Sequence, residues 1–184
     1  MMNKKDFSIV CIGAGNVATH LAQALQQKGF HLSQIYSRTQ ESAEALAQTL
    51  GCAWTTCLEQ VDEHADLYIV SVKDAVLETV ISQLVHCNPD ALYLHTAGSM
   101  PMEVWKEKFK NYGVAYPMQT FSKQREVNFE EVPFFLEANS PENLSLLQEI
   151  TGSLSPKVYE ASSEQRKYLH IAAVFACNFS NHMY

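Results

Sequence analysis

Residues 7–18 of the sequence read FSIVCIGAGNVA, and this stretch decides the fold. Its first half, Phe7 to Ile12, is a short apolar and β-branched run, as expected of a strand that is buried on both faces. A G-x-G-x-x-A pattern follows at once, and beyond it apolar residues recur at helical spacing until Gly29. A strand, a glycine-rich turn and a helix in this order are typical of a dinucleotide-binding fold.

The small residues of this turn have separate roles in binding a dinucleotide. Gly13 permits the tight turn, Gly15 lets the backbone approach a pyrophosphate, and Ala18 lets the helix pack closely on the strand. The free N–H groups and the positive dipole of the helix N-terminus attract the phosphates. We therefore expect the cofactor to contact the residues of the turn: Gly13, Ala14, Gly15, Asn16 and Val17.

Strand and helix patterns alternate along most of the chain. Further strands are predicted over residues 32–37, 66–72, 91–96, 114–118, 133–137 and 157–160, and helices over 43–50, 77–84 and 102–110 and after Ser140-Pro141. Strands that alternate with helices of about ten to fifteen residues form right-handed βαβ units. The sequence therefore predicts an α/β fold, a doubly wound and mostly parallel Rossmann sheet, over residues 1–161.

The end of the sequence has a different character. Residues 162–165 (SSEQ) form a capping-box pattern, and the chain then reads as helix to Tyr184 without a glycine or proline. A long helix with apolar sides needs a surface to pack against. We interpret residues 162–184 as the first helix of an all-α C-terminal domain that is truncated here. A homodimer formed through that domain is predicted by a stripe of mostly small residues along this helix: Leu169, Ala172, Ala173, Ala176, Cys177 and Ser180.

The end of the second strand indicates which dinucleotide binds. An NAD enzyme usually places an acid there to bind the adenosine ribose. This sequence has Ser37, Arg38 and Thr39 instead, and the first acid is Glu41. Hydroxyl groups and a guanidinium fork can hold a 2′-phosphate. The sequence therefore favours NADP(H), although a solvated loop arginine is an alternative explanation of Arg38.

The ends of two later strands should complete the cofactor cleft. Val72 and Lys73 follow one strand, and we expect Lys73 to face the cofactor while Asp74 caps its helix. Ala97 follows the next strand within a run of small residues that would let a nicotinamide ring lie against the backbone. His95, at the end of that strand, is better explained as a packed histidine than as a functional one.

Polar side chains on the final helix are candidates for catalysis. His170, Asn178 and Asn181 lie within about a quarter turn of one another on a helix. They either are satisfied polar residues of a core or line a cavity. We expect His170 to be the proton donor or to orient the substrate, and Asn178 to bind the polar group of the substrate. Tyr116 and Lys167 are alternatives for the proton donor.

Composition excludes several classes of partner. The 184 residues carry a net charge of −7 and no run of Lys or Arg longer than Lys4-Lys5, which argues against nucleic acid and anionic membranes as ligands. Five cysteines without a C-x-x-C pair indicate free thiols and no metal site. No signal peptide and no apolar run of about 18 residues is evident. We expect a cytoplasmic protein that acts on a small molecule.

The order of the motifs GAGNVA, SRT, SVKD, HTAGS, YPMQTF and LHIAAVFACNF resembles the uncharacterised bacterial Rossmann-like NADP oxidoreductases over essentially the whole chain. These are related to pyrroline-5-carboxylate reductase and more distantly to the β-hydroxyacid dehydrogenases. The resemblance implies hydride transfer to or from a C=N or C=O group and a dimerising helical domain that completes the active site.

Two positions depart from the pattern of these families. The oxidoreductases have histidine where Tyr116 precedes Pro117, and the β-hydroxyacid dehydrogenases have asparagine four residues after their catalytic lysine, whereas Ile171 follows Lys167 here. Their catalytic lysine therefore cannot be transferred to this chain. A non-catalytic NADP-binding sensor and a deazaflavin-dependent reductase remain alternative functions for the same fold.

Overall fold

The computed structural model describes residues 3–182, with side chains up to Ala176. Its centre is one eight-stranded sheet in the order β3-β2-β1-β4-β5-β6-β7-β8. All neighbouring strands are parallel except β6 and β7. The strands are β1 (Ser8–Ile12), β2 (His31–Tyr36), β3 (Ala53–Thr55), β4 (Leu67–Val70), β5 (Leu92–His95), β6 (Asn111–Pro117), β7 (Phe134–Ala138) and β8 (Val158–Glu160). The predicted doubly wound, mostly parallel sheet is confirmed.

Helices cover both faces of the sheet. They are α1 (Asn16–Gln27), α2 (Gln40–Leu50), α3 (Asp74–Gln83), α4 (Pro141–Gly152) and α5 (Ser163–His182). Successive strand residues point to opposite faces, so Ile9 and Cys11 enter one core while Val10 and Ile12 enter the other. The first core includes the apolar sides of α1, α2 and α4, and the second includes the apolar side of α3. Burial on both faces explains why the central strands are continuously apolar.

Helix starts follow the predicted capping chemistry in two places. The Ser140 hydroxyl accepts a hydrogen bond from the Asn143 N–H (3.2 Å) at the start of α4, where proline occupies the first turn. Before α5, the Gln165 N–H donates to the Ser162 hydroxyl (3.3 Å) and the Ser162 N–H donates to the Gln165 side chain (2.9 Å). The capping box is therefore formed as predicted.

One prediction about local structure was wrong, and one short strand was missed. The helix expected over residues 102–110 is a single 3-10 turn, Met102–Trp105. The turn ends because Trp105 is fully buried against the rings of Tyr93 and His95 and because Glu107 has a positive φ of 67°, which no helix accommodates. Strand β3 was not predicted, since it has only three residues and lies at the edge of the sheet.

Asp74 also has a different role from the one predicted. The N-cap of α3 is Lys73, whose backbone is extended, and Asp74 is the first helical residue. Its carboxylate accepts a hydrogen bond from the Ser99 hydroxyl and so joins α3 to the loop after β5. An acid in the first helical turn still interacts favourably with the helix dipole.

Helix α5 leaves the sheet with much of its surface uncovered. Tyr168, Ile171, Val174 and Phe175 are 64%, 40%, 44% and 62% exposed. Within the predicted small-residue stripe, Ala172 and Ala176 are exposed, and Cys177 and Ser180 lie beyond the described side chains. No helix in the described part of the chain is both long and apolar enough to cross a membrane.

Candidate functional site

The sheet order brings the predicted cofactor residues to one edge. Strands β2, β1, β4 and β5 are consecutive neighbours and parallel, so the turns after them lie side by side. These turns carry the predicted segments 13–17, 37–39, 72–73 and 97. Strands β2 and β3 lie on one side of β1, and the chain then crosses to β4 on the other side. The crevice at this switch point is where open α/β sheets bind their ligands.

The glycine turn after β1 has the geometry of a phosphate-binding loop. Gly13 has a φ of +124°, and a Cβ there would overlap the carbonyl oxygen of Ser71. Its N–H donates to the Tyr36 carbonyl (2.8 Å), which fixes the turn between β2 and β4. Gly15 is exposed, and a Cβ there would meet no atom within 4 Å. The space over Gly15 and the N–H groups at the start of α1 therefore fit a pyrophosphate.

Alanine substitutions at the two glycines should affect different properties, stability at Gly13 and NADPH binding at Gly15. We expect Gly13→Ala to lower the free energy of unfolding by roughly 1–3 kcal/mol, because it combines an unfavourable φ with backbone overlap. Gly15→Ala should keep the stability of the wild type but weaken NADPH binding roughly tenfold, because its Cβ fills the ligand's space. Thermal unfolding and fluorescence titration measure the two effects. An unchanged NADPH affinity in Gly15→Ala would contradict the placement of the pyrophosphate.

The end of β2 offers unused donors for a second phosphate. Arg38 is exposed and forms no ion pair with any residue that the structure describes. Thr39 precedes α2 but its side chain does not cap the helix. Ser37 is buried and held by a bond from its N–H to the Thr55 carbonyl (3.2 Å). An unpaired guanidinium beside a free hydroxyl and a helix N-terminus fits the 2′-phosphate of NADP(H).

The ends of β4 and β5 form a continuous floor. The Ser71 and Thr96 hydroxyls are hydrogen-bonded to each other (2.9 Å), which ties the two strand ends together. Val72 and Ala97 are half-buried and pack on the same core. Lys73 is exposed at the edge of this floor. The arrangement agrees with the prediction that Val72, Lys73 and Ala97 lie beside the cofactor, and their contacts with it remain predictions.

The loop after β6 closes over the glycine turn. The Asn16 side-chain amide donates to the carbonyl of Phe121 (2.9 Å). The His20 Nε2 lies 2.9 Å from the carbonyl of Ser122. The Asn16 side chain is therefore used to hold this loop, which leaves its backbone as the part that can contact a phosphate.

A pair of titratable side chains meets above the loop after β5. The Tyr116 hydroxyl lies 3.1 Å from His170 Nδ1, and the two rings pack edge to face. A Cβ on Gly98 would come within 2.7 Å of the Tyr116 ring and 2.9 Å of His170 Nδ1, so only glycine admits both side chains. Tyr116 comes from the end of β6 and His170 from α5, so helix α5 reaches the cofactor edge of the sheet.

Among the remaining candidate residues, His95 has a structural role and Asn178 cannot be placed. His95 is fully buried, its Nδ1 accepts from the Ala97 N–H (3.2 Å), and Nε2 donates to the Pro101 carbonyl (3.4 Å). Burial, followed by the charge of Arg166, lowers the pKa of His95 to about 3, so it is a neutral packed histidine as predicted. The side chain of Asn178 lies outside the described residues. No cluster that could hold a metal occurs among the described residues.

Sequence reasoning missed Arg166, which is fully buried next to this site and paired with Glu137. Its signal in the sequence is weak. It lies four residues before His170, so a cation and the candidate histidine share one face of a helix.

Two family models match the chain. Residues 8–97 match the family described as NADP oxidoreductase, coenzyme F420-dependent. Residues 132–184 match a domain of unknown function (DUF2520). No match to a curated protein is found.

Solved structures extend the likeness to the whole chain. A "putative NADP oxidoreductase" from Bacteroides fragilis is 56% identical with a TM-score of 0.93, over 96% of this chain and 69% of that protein. An imine reductase from Myxococcus stipitatus in complex with NADP+ is 16% identical (TM-score 0.75, 95% of this chain, 62% of that one). A pyrroline-5-carboxylate reductase from Coxiella burnetii is 20% identical (TM-score 0.68, 85% and 59%). The chain thus spans about two thirds or less of these proteins, and the latter two show the shared fold alone.

Proposed function

Because this chain belongs to the NADP oxidoreductase family represented by the Bacteroides fragilis protein, we propose that it moves hydride between NADP(H) and a C=N or C=O group of a small metabolite. One observation on this chain supports the proposal in addition to family membership. The Tyr116–His170 pair lies at the same edge of the sheet as the glycine turn, beside the loop predicted to hold the nicotinamide. The expected relationship to NADP oxidoreductases and the expected cofactor, NADP(H), are confirmed by the family.

The residues of the sheet edge hold and orient the cofactor. NADPH, when bound, supplies the hydride. The backbone at Gly13 to Gly15 receives the pyrophosphate, and Arg38 with Thr39 binds the 2′-phosphate. Val72 and Ala97 give the nicotinamide an apolar floor, which limits the access of water to the reacting atoms.

His170 provides the proton that must follow the hydride. To act as an acid the ring must be in its imidazolium form, in which Nδ1–H donates to the Tyr116 hydroxyl oxygen (3.1 Å) and Nε2–H is the proton available to the substrate. That proton passes to the oxygen or nitrogen of the substrate as hydride reaches its carbon, which leaves a neutral imidazole, and Nε2 is then reprotonated from solvent. Tyr116 is a positioning residue in this scheme because its hydroxyl contacts Nδ1 and so fixes the orientation of the ring. We propose that Asn178, on the same helix, binds the polar group of the substrate. This proposal rests on its position in the sequence.

We propose a C=N substrate as the first class to test, because an imine reductase and a pyrroline-5-carboxylate reductase share this fold, but a shared fold does not decide between C=N and C=O. The test follows NADPH absorbance with pyrroline, a cyclic imine, and with an α-keto acid as the carbonyl probe. We expect oxidation of NADPH by the imine. Oxidation of NADPH with the keto acid alone would instead favour a C=O substrate. If the protein binds NADPH but oxidises it with neither probe, the result would favour a non-catalytic NADP sensor.

A second candidate is a deazaflavin-dependent reductase. It is supported by the description of the family model that matches residues 8–97, which names coenzyme F420. In this case the visible absorbance of oxidised deazaflavin would fall when NADPH is added, without any imine or carbonyl substrate. The absence of that change would leave the first proposal.

We also propose a homodimer that forms through the C-terminal helical domain beginning with α5, and a cytoplasmic location. Apolar side chains on α5 are exposed in the single chain, and patches of this kind mark interfaces. The described cysteines, Cys11, Cys52, Cys57 and Cys87, are free, as expected in a reducing compartment. Sedimentation velocity at micromolar concentration should show a dimer of the full-length protein, and a stable monomer would contradict the assignment of α5 to an interface.

A further inference from the structure

Arg166, at the start of α5, is a buried cation that joins three parts of the protein. Its side chain is fully buried. Nη1 donates to the Glu137 carboxylate on β7 (2.6 Å), and Nη2 donates to the Met100 carbonyl in the loop after β5 (2.8 Å). Nη2 also lies 3.3 Å from the Ser163 hydroxyl. One guanidinium group therefore holds the sheet, the loop and the helix together.

Ser163 closes the same network. Its hydroxyl donates to the Glu137 carboxylate (2.7 Å) and accepts from the Met102 N–H (2.9 Å). The Arg166 and Glu137 charges are thus paired in a region where an unpaired charge would be very costly, and only Nε of the guanidinium lacks a partner among the described residues. The planar fork of arginine can reach Glu137 and Met100 at once, whereas the single ammonium of lysine cannot.

The network lies directly beneath the proposed reaction site. Arg166 and His170 are four residues apart, which places them on one face of α5. Met100 is two residues after Gly98, where Tyr116 and His170 meet. The two walls of the site, the loop at Gly98 and the helix at His170, are therefore both tied to the guanidinium of Arg166.

We infer that Arg166 is a positioning residue that sets His170 against Tyr116 and Gly98, and that its pairing with Glu137 serves this geometry rather than stability. A buried ion pair is weak support for stability, because apolar residues of similar volume often replace one without loss. A displacement of about 1 Å in a reacting group can reduce a rate about 100-fold. The inference rests on the proposed function for its rate measurement only.

The test replaces both charges together, with Arg166→Met and Glu137→Met in the full-length protein. The matched control removes the exposed ion pair Lys110–Asp90 (2.7 Å) through Lys110→Met and Asp90→Asn. We expect the Arg166/Glu137 variant to unfold at the wild-type temperature and to bind NADPH within about twofold, while NADPH oxidation with pyrroline falls about 10- to 100-fold. The 15N NMR signals of the His170 ring should shift from their wild-type positions, because the contact between Nδ1 and the Tyr116 hydroxyl is weakened. The control should match the wild type in every measurement.

Two results would overturn the inference: wild-type turnover, or unchanged His170 NMR signals, in a folded Arg166/Glu137 variant. If that variant fails to fold, Arg166→Lys tests the inference instead. Lysine keeps the positive charge but cannot bind the Glu137 carboxylate and the Met100 carbonyl at once. We expect it to fold with shifted His170 signals and a rate at least several-fold lower, and wild-type behaviour in both measurements would equally overturn the inference. The NMR measurement needs no substrate, so it still tests Arg166 if the wild type proves inactive on the probes.

Discussion

His170→Gln is expected to lower the maximal rate of hydride transfer by roughly 100-fold or more, while the affinity for NADPH stays at the wild-type value. The loss is in the usual range for removal of a general acid. NADPH affinity should be kept because His170 contacts Tyr116 at the end of β6, whereas the phosphate-binding groups follow β1 and β2 farther along the same edge of the sheet. The measurements are steady-state oxidation of NADPH with the imine probe and fluorescence titration of NADPH. A variant that keeps near-normal turnover, or one that simply unfolds, would show that His170 contributes packing and not chemistry.

Tyr116→Phe is the matched variant for this prediction. It removes only the hydroxyl that contacts His170 Nδ1 and leaves the ring against Gly98. We expect a smaller loss, roughly tenfold, because the imidazole remains but its orientation is no longer fixed by a contact at Nδ1. If Tyr116→Phe is the more damaging of the two variants, the proton donor is Tyr116, and His170 is the residue that positions it.

Arg38→Ala should weaken NADPH binding by roughly 10- to 150-fold and leave the affinity for NADH almost unchanged. Charge-assisted hydrogen bonds to a phosphate contribute roughly 1.5–3 kcal/mol. NADH has no 2′-phosphate and does not form these bonds, so its affinity should not depend on Arg38. Because Arg38 is exposed and without an ion-pair partner among the described residues, its removal should not change the stability of the fold.

Titration of both dinucleotides against both proteins decides the role of Arg38. Thr39→Ala serves as a graded control, since it removes one hydroxyl from the same phosphate position and should give a loss of a few-fold for NADPH alone. Equal losses for NADPH and NADH in Arg38→Ala would show a general effect on the site and would remove Arg38 from 2′-phosphate recognition.

Local patterns predicted most of the fold because their signals are contained in short stretches of sequence. The buried strand before Gly13, the helix cap at Ser140 and the capping box at Ser162 all formed as expected. The helix at residues 102–110 failed because long-range packing of Trp105 outweighed local helix propensity. Propensity cannot reveal a side chain that will be buried by a distant strand.

The candidate site was predictable only in part for the same reason. The cofactor residues follow consecutive strands, so topology alone brings them to one edge. Tyr116 and His170 are 54 residues apart, and Arg166 and Glu137 are 29 apart. Sequence reasoning considered Tyr116 and His170 as rivals for one role, whereas the structure brings them into contact. The buried charge of Arg166 became visible only with its partners.

The most direct test of the central proposal is the fate of the hydride itself. NADPH deuterated at the transferable C4 position is incubated with the full-length protein and pyrroline, and the amine product is analysed by mass spectrometry. Hydride transfer at this site predicts one deuterium on the former imine carbon of the product and a slower rate than with unlabelled NADPH. Tight NADPH binding with no deuterium in the product of either the imine or the keto acid would contradict the proposal and assign the chain to cofactor binding without catalysis.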